Sequence, residues 1–241
     1  MRLFGRRRQT PEQHFHSSEY LRHNARRQEH LATLGLNLRQ QSVLEVGAGI
    51  GDHSHFFLDR GCQVLCTEPR EENLAVIRRR YRSDERVTVR QLDLDGELPS
   101  DIPAHDIVYC YGTLYHLARP AEAMAWLCAR AKSLLLLETC VSLRDEGGAN
   151  LVAEEKALYS QAVTGTGCRP SRSWVMAQLS LHLPHAYMTR TQPWHAEFPL
   201  DWTVASAGNS TGLTRAVFVG SRQPLDNALL SREVLMQQTR A

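Results

Sequence analysis

The middle of the chain contains five short apolar runs, and polar or glycine-rich residues follow each of them. Runs of strand length that are rich in Val, Ile and Leu predict buried strands rather than helices. The run at 134–138 begins with four consecutive leucines, which is typical of a central strand covered on both faces. The predicted strands are residues 42–46, 63–67, 87–92, 107–111 and 134–138.

Between these runs, apolar residues recur at the three- and four-residue spacing of amphipathic helices. Ser17 or Ser18 can cap the first helix, and Pro120 suits the first turn of a later one. The alternation predicts a doubly wound α/β sheet, with helices on both faces. The predicted helices are residues 17–34, 52–60, 71–81, 120–131 and 173–182, and two late strands are predicted at 186–191 and 216–221.

Length and charge limit the class of protein further. The chain has 241 residues, of which 42% are hydrophobic, and this suffices for one large domain. A formal net charge of +2 predicts no strong field for nucleic acid over the whole surface. Arg2 and the three arginines at 6–8 are expected to form a solvated tail, with contact to RNA or an acidic membrane as the alternative. No apolar run predicts a secretory signal or a membrane span.

The six cysteines form no Cys-x-x-Cys pair, and most lie in apolar runs, where a free thiol acts as a small hydrophobe. This distribution predicts neither a disulfide framework nor a zinc site. His182, His185 and His195 match no zinc-binding spacing, so we expect no metal. A reduced, cytoplasmic protein is the resulting expectation.

A carboxylate and three glycines follow one another at every second position where the first predicted strand ends. In Glu45-x-Gly47-x-Gly49-x-Gly51, the glycines let the backbone turn sharply and approach a ligand closely. Asp52 is expected to cap the next helix. The motif predicts a site for a nucleoside cofactor, with simple packing of a helix on a strand as the alternative role.

Two cofactors fit such a loop. A dinucleotide places its pyrophosphate at a Gly-x-Gly-x-x-Gly turn, but Asp52 occupies the position of the last glycine here. Glu45 and Asp52 would lie near two phosphate charges, which is unfavourable. S-adenosylmethionine carries a sulfonium and an ammonium group instead, so nearby acids attract it. Glu68, at the end of the second strand, suits the ribose of either cofactor.

Polar side chains follow four of the predicted strands. Glu45, Glu68, Asp93 and Tyr111 lie at or just beyond their carboxyl ends. Ligands of open α/β sheets bind in the crevice outside these ends. We therefore expect the four side chains to face one crevice.

The segment 43–139 resembles the core of the class I S-adenosylmethionine-dependent methyltransferases. In that family the glycine motif binds the cofactor, the acid at Glu68 binds the ribose hydroxyls, and the acid at Asp93 lies near the adenine amino group. Tyr111 falls at the position that lines the methionine end. The resemblance implies a Rossmann-like sheet of seven strands, mostly parallel, with an antiparallel last strand at 216–221. The implied cofactor-binding residues are Glu45, Gly47, Gly49, Gly51, Glu68, Asp93 and Tyr111.

The run 112–117 resembles a Tyr-His element of small-molecule methyltransferases and of a tRNA wobble-uridine modifying group. The long additional segments of the tRNA group are missing from this chain. His116 is the predicted catalytic base, because it lies just beyond the fourth strand and a histidine titrates near working pH. Its alternative role is structural. His195 is a second candidate, whose loop is equally compatible with anchoring on the core.

The resemblance places acceptor-binding residues on the first helix and after strands four and five. On the helix these are Tyr20, Asn24, Arg26 and Arg27, and beyond the strands they are the segments 140–170 and 192–202. Arg169 and Arg172 either hold an acidic acceptor or are ordinary surface charges.

The resemblance thus implies a methyltransferase that uses S-adenosyl-L-methionine on a small-molecule, sugar, lipid or natural-product acceptor. Methylation of RNA, including tRNA, is the first alternative, and a nicotinamide-dependent oxidoreductase or a non-catalytic binding module are the others. The oligomeric state stays open. The expected organisation is a basic tail at 1–16, one domain at 17–222 (N-terminal helix 17–41, cofactor-binding core 42–139, acceptor-binding and C-terminal part 140–222) and a C-terminal tail at 223–241.

Overall fold

The computed structural model describes residues 9–204 and 211–241, and a single eight-stranded sheet forms its centre. Two small two-stranded sheets accompany it. The strands, in chain order, are β1 (Ser42–Val46), β2 (Gln63–Glu68), β3 (Val87–Gln91), β4 (His105–Tyr111), β5 (Ala131–Val141), β6 (Leu151–Ala153), β7 (Thr166–Cys168), β8 (His185–Thr189), β9 (Thr191–Gln192), β10 (Thr214–Ser221), β11 (Leu230–Ser231) and β12 (Thr239–Arg240).

The helices lie between the strands much as the apolar spacing predicts. Ser17 caps the long N-terminal helix by accepting a hydrogen bond from the backbone of Tyr20, and Pro120 occupies the first turn of its helix. A short 3₁₀ turn, Leu114–His116, follows β4. The helices are α1 (Pro11–Phe15), α2 (Ser18–Thr33), α3 (Ser54–Leu58), α4 (Glu71–Arg80), α5 (Pro120–Arg130) and α6 (Arg172–His182).

The order of the central sheet is β11-β8-β10-β5-β4-β1-β2-β3. Strands β1 to β5 pair in parallel, and β10 runs antiparallel between β5 and β8. This confirms the Rossmann-like α/β class and the antiparallel strand expected at 216–221. The expected number of seven strands is wrong, because β11 adds an eighth at the edge beside β8. A two-residue strand carries no period that the sequence could reveal.

Apolar layers cover both faces of the sheet, as a doubly wound fold requires. Leu135 and Leu137 of β5 face the layer built with α5 and α6. Leu134 and Leu136 face the opposite layer, built with α2, α3 and α4. The four consecutive leucines are therefore buried in two different apolar layers. For this reason the strand lacks the alternation of apolar and polar residues that is typical of a half-exposed strand.

Both segments that the sequence assigns to tails contain regular structure. Residues 11–15 form α1, and its N-cap Thr10 and Gln13 form a capping box. At the other end, β12 pairs with β9 and buries Gln238. The basic cluster at Arg2 and 6–8 lies outside the described residues.

Three further features differ from expectation or bear on the class of protein. Helix α3 begins after His53 rather than at Asp52, whose carboxylate accepts a hydrogen bond from Arg80 at 2.6 Å instead of capping the helix. The six cysteines are buried as free thiols. Within 9–204 and 211–241, no helix is both long and apolar enough to cross a bilayer.

A hairpin of β6 and β7 lies in the segment where the sequence pattern loosens. Leu151 pairs with Cys168 and Ala153 with Thr166, and the hairpin packs beside the 3₁₀ turn that carries His116. A Cβ on Gly167 would lie 2.5 Å from the backbone oxygen of Tyr115, so only glycine permits this approach. The hairpin therefore covers part of the surface beside the carboxyl end of β4.

Phe218 of β10 tests the central packing, because its side chain has no exposed surface. We predict that Phe218→Ala lowers the free energy of unfolding by about 3–5 kcal/mol, measured by urea denaturation. The matched control is Leu181→Ala on α6, whose side chain is 71% exposed, and which should change stability by less than about 0.5 kcal/mol. Equal losses for the two variants would contradict this assignment of the core.

Candidate functional site

A cavity of about 320 Å³ opens at the carboxyl ends of β1, β2 and β4. Helices α1 and α2 and the segment 159–163 form its outer walls. Gly51 is the one predicted site residue outside its lining. The predicted residues that do line it are Glu45, Gly47, Gly49, Glu68, Asp93, Tyr111 and His116.

The glycine loop is closely approached from two sides. Gly47 has φ +69°, and a Cβ there would lie 2.0 Å from the hydroxyl of Thr113, in the loop after β4. Gly49 has φ +58° and faces the ring of Phe15 from α1. Both positions favour glycine for its backbone and for space. Gly51 packs instead under Tyr81, whose hydroxyl donates to its carbonyl at 2.7 Å.

Glu68 has the environment expected of a ligand-binding carboxylate. It accepts hydrogen bonds from the backbone of Gly49 at 3.0 Å and from the amide of Asn73 at 2.9 Å. Burial raises its pKa to about 7, because desolvation opposes the charged form more than these bonds favour it. Asp93 lies further along the cavity and accepts from the backbone of Asp95 at 2.9 Å.

Glu45 lines the cavity but is held by the helix beneath it. Its carboxylate accepts a hydrogen bond from the hydroxyl of Ser54 at 2.6 Å, and burial raises its pKa to about 7. The expected attraction of this acid for a cation is therefore reduced, because part of its population is protonated near neutral pH. The side chain joins β1 to α3 below the glycine loop.

Aromatic rings form the inner end of the cavity. Tyr111 stacks on Tyr109 with ring centroids 4.3 Å apart, and Tyr109 is hydrogen-bonded to His53 at 2.6 Å between Oη and Nδ1. The Tyr111 hydroxyl is buried without a hydrogen-bond partner, as is Nε2 of His53. Buried polar atoms of this kind indicate a place for a polar ligand.

His116 is paired with a carboxylate that sequence reasoning missed. Its Nδ1 donates to Oε2 of Glu154 at 2.5 Å, and Arg169 donates to the other oxygen of that carboxylate at 3.1 Å. Burial lowers the pKa of His116, although the carboxylate opposes this shift. Glu154 follows the three-residue strand β6, which gave no strand signal.

A buried network of charges joins helix α2 to strand β10. Glu138, at the end of the four-leucine run, accepts from Arg27 at 2.6 Å and from Arg215 at 3.1 Å. Arg215 also donates to Glu197 at 2.5 Å and to the hydroxyl of Tyr115 at 3.1 Å. Two arginines thus balance two carboxylates. The sequence signal for this network was Glu138, an acid that directly follows the four leucines at 134–137. No sequence pattern pointed to Arg215 or Glu197.

The residues expected to bind an acceptor are only partly brought together. Tyr20, Asn24 and Arg27 line the cavity, but Arg26 is exposed and pairs with Glu29. Arg172 lies outside the lining and donates to the backbone oxygen of Leu235, while its guanidinium covers the ring of Trp202. Arg172 therefore contacts the C-terminal segment and Trp202 rather than the cavity.

His23, His195 and Glu197 form a group whose possible ligand atoms lie within 4.8 Å of one another. The imidazoles are stacked, with centroids 4.5 Å apart and planes at 8°, so their nitrogen lone pairs lie in two nearly parallel planes and do not converge on one point. Glu197 is already bound to Arg215 and to the hydroxyl of Thr211. This geometry suits a stacked wall beside the cavity better than a metal centre.

Arg215 tests the buried network. We predict that Arg215→Met lowers the free energy of unfolding by about 3–5 kcal/mol, because it leaves the buried Glu197 without its cation and the buried Glu138 with Arg27 alone. Arg26→Met, which removes an exposed partner of Glu29, should change it by about 0–1 kcal/mol. The measurement is urea denaturation at neutral pH, and a small loss for Arg215→Met would show that the network is solvated.

Comparison with known proteins identifies the fold and a methyltransferase domain within the chain. Residues 44–134 match a family model described as a methyltransferase domain. This range contains the glycine motif, Glu68, Asp93, Tyr111 and His116. A comparison with curated protein sequences finds no significant match.

Solved structures resemble the chain over most of its length. The N-terminal domain of EvdMO1, crystallised in the presence of SAH and D-fucose, is 20% identical, with a TM-score of 0.65 over 83% of each chain. The Burkholderia thailandensis 1,6-didemethyltoxoflavin-N1-methyltransferase is 19% identical, with a TM-score of 0.54 over 83% of this chain and 76% of its own. Magnesium protoporphyrin IX methyltransferase from Synechocystis PCC 6803 is 15% identical, with a TM-score of 0.56 over 85% and 82%. These likenesses show the fold.

Proposed function

We propose that this chain, in which residues 44–134 match a methyltransferase domain, transfers a methyl group from S-adenosyl-L-methionine to a small-molecule acceptor. The observation that carries the proposal is that the glycine loop, Glu68, Asp93, Tyr111 and His116 all line one cavity. The EvdMO1 domain and the toxoflavin enzyme were both crystallised with SAH, the demethylated form of this donor.

The residues present fit an adenosine donor. Glu68 is buried, is fixed by Gly49 and Asn73, and has room for the hydroxyl donors of a ribose. Gly47 and Gly49 keep side chains out of the loop that faces the cavity. The unpartnered Tyr111 hydroxyl offers a hydrogen bond at the methionine end. In this proposal the cofactor-binding residues remain those predicted from the sequence, with Gly51 and Glu45 shaping the loop.

When bound, the sulfonium supplies an activated methyl carbon. The task of the protein is then to align an acceptor with it, and alignment is worth about 7–11 kcal/mol in well-oriented reactions. His116 lies in the wall of the same cavity as Tyr111 and can accept the proton of a hydroxyl or amine. We assign it the role of catalytic base.

The acceptor side favours an uncharged, hydroxyl-bearing molecule. Arg27 and Arg215 are neutralised by Glu138 and Glu197, and Arg169 by Glu154, so little net positive charge remains for an anion. Sugars, lipid headgroups and natural-product alcohols belong to this class. Methylation of RNA is the second candidate; an affinity for RNA that falls steeply with salt would support it. A cytoplasmic location stays a prediction.

Glu68 provides the test of the donor site. We predict that Glu68→Ala weakens SAH binding by about 1.5–3 kcal/mol in isothermal titration calorimetry at a pH well above the pKa of this carboxyl, where it is ionised, because charge-assisted hydrogen bonds to the ribose are lost. Glu72→Ala, an exposed acid of the neighbouring helix α4, is the matched control and should leave the affinity unchanged.

The same calorimeter separates the alternatives. A wild-type protein that binds NAD and not SAH would overturn the proposal in favour of an oxidoreductase. Unchanged SAH affinity in Glu68→Ala would contradict the role of this carboxylate.

A further inference from the structure

We propose that Glu154 is the positioning residue of His116, holding its imidazole so that an unprotonated Nε2 is available to the acceptor. The inference rests on the proposed function for its chemical meaning, but its geometry stands independently. Glu154 lies outside the motifs that the family resemblance assigns, on a segment that follows β6. The pair His116–Glu154 spans 38 residues of sequence and joins two separate elements of the fold.

The contact defines which nitrogen carries the proton. An ionised carboxylate can only accept hydrogen bonds, so the 2.5 Å contact between Nδ1 of His116 and Oε2 of Glu154 requires a proton on Nδ1. A neutral imidazole has one N–H, and its lone pair then lies on Nε2. Free histidine side chains prefer the opposite tautomer, with the proton on Nε2. The carboxylate must therefore stabilise the form that is protonated on Nδ1.

Glu154 is itself held from three directions. Its side chain is only 2% exposed. The backbone N–H of Ala162 donates to Oε2 at 2.9 Å, and Nη1 of Arg169 donates to Oε1 at 3.1 Å. The glycine at 167 lets the hairpin approach the turn that carries His116, since a Cβ there would lie 2.8 Å from the Glu154 carboxyl group. The orientation of the carboxylate is thus set by the hairpin and not by solvent.

The electrostatic surroundings keep the pair in the required state. The cations that face the imidazole are Arg169, which directly follows β7, and Arg215 of β10. The anion that faces it is Glu154. Burial lowers the pKa of His116, which favours the neutral ring near pH 7. For Glu154, burial alone would raise the pKa, but the bonds from His116, Ala162 and Arg169 outweigh it and hold the carboxyl ionised.

In the proposed transfer, His116 takes the proton that the acceptor loses. As the acceptor oxygen forms its bond to the methyl carbon, its proton passes to Nε2 of His116. The carbon–sulfur bond breaks and its electron pair stays on sulfur, which becomes neutral. The positive charge therefore ends on the imidazolium, directly beside the Glu154 carboxylate. Opposite charges in this contact favour the protonated ring as it forms, which is the condition for an effective base.

Nitrogen-15 NMR of the protein without added ligand tests the proposal directly. Histidine-labelled wild-type protein is compared with His116→Gln to assign the His116 signals, then with Glu154→Ala and Glu154→Gln. We expect wild-type His116 to carry its proton on Nδ1 at pH 7.5 and Glu154→Ala to shift it toward the Nε2-protonated form. In Glu154→Gln the loss of the negative charge should lower the pKa of His116 by about one pH unit or more.

Glu155→Gln is the matched control, because Glu155 is the exposed neighbour of Glu154. It should change neither the tautomer nor the pKa of His116. Wild-type His116 protonated on Nε2, or a tautomer that is unchanged in Glu154→Ala, would overturn the proposal. The wild-type measurement does not depend on whether a variant folds. A protein that shows the expected tautomer but binds no SAH would overturn the proposed function and leave the pairing intact.

Discussion

The site depends on one buried carboxylate, Glu138, which receives a guanidinium on each of its two oxygens. Arg27 reaches it from α2 and Arg215 from β10, so elements from the two ends of the chain meet at the end of the central strand β5. Taking these charges out of water is expensive, and only mutual pairing makes the arrangement tolerable. Arg27 and Arg215 also line the cavity. Stability and the shape of the acceptor side are therefore linked through one residue.

Around this anchor, the two ends of the cavity have different physical character. The donor end is made of backbone and single carboxylates: Gly47, Gly49 and Glu68, supported from below by Glu45. The acceptor end is made of paired charges, stacked rings and the His116–Glu154 contact. The first end suits the ribose of an adenosine donor. The second leaves polar atoms to be satisfied but little net charge, which suits an uncharged acceptor.

The sequence predicted the parts of the fold that repeat a strong period. The strands from 42 to 138 and the helices between them lie within a few residues of their expected bounds, and the strand ends converge on one cavity as parallel pairing requires. Short elements were missed, because β6, β7 and β11 have two or three residues each and no detectable alternation. Glu154, Arg215 and Glu197 were missed for a related reason: their partners are distant in sequence, and only the folded chain brings them together.

The central claim is that the cavity holds an adenosine donor with Glu68 at its ribose and Tyr111 at its methionine end. A crystal structure of the protein with SAH tests this most directly. The account predicts the ribose hydroxyls within hydrogen-bond distance of the Glu68 carboxylate and the sulfur between Tyr111 and the wall that carries His116. SAH bound elsewhere, or bound here with its ribose turned away from Glu68, would contradict it.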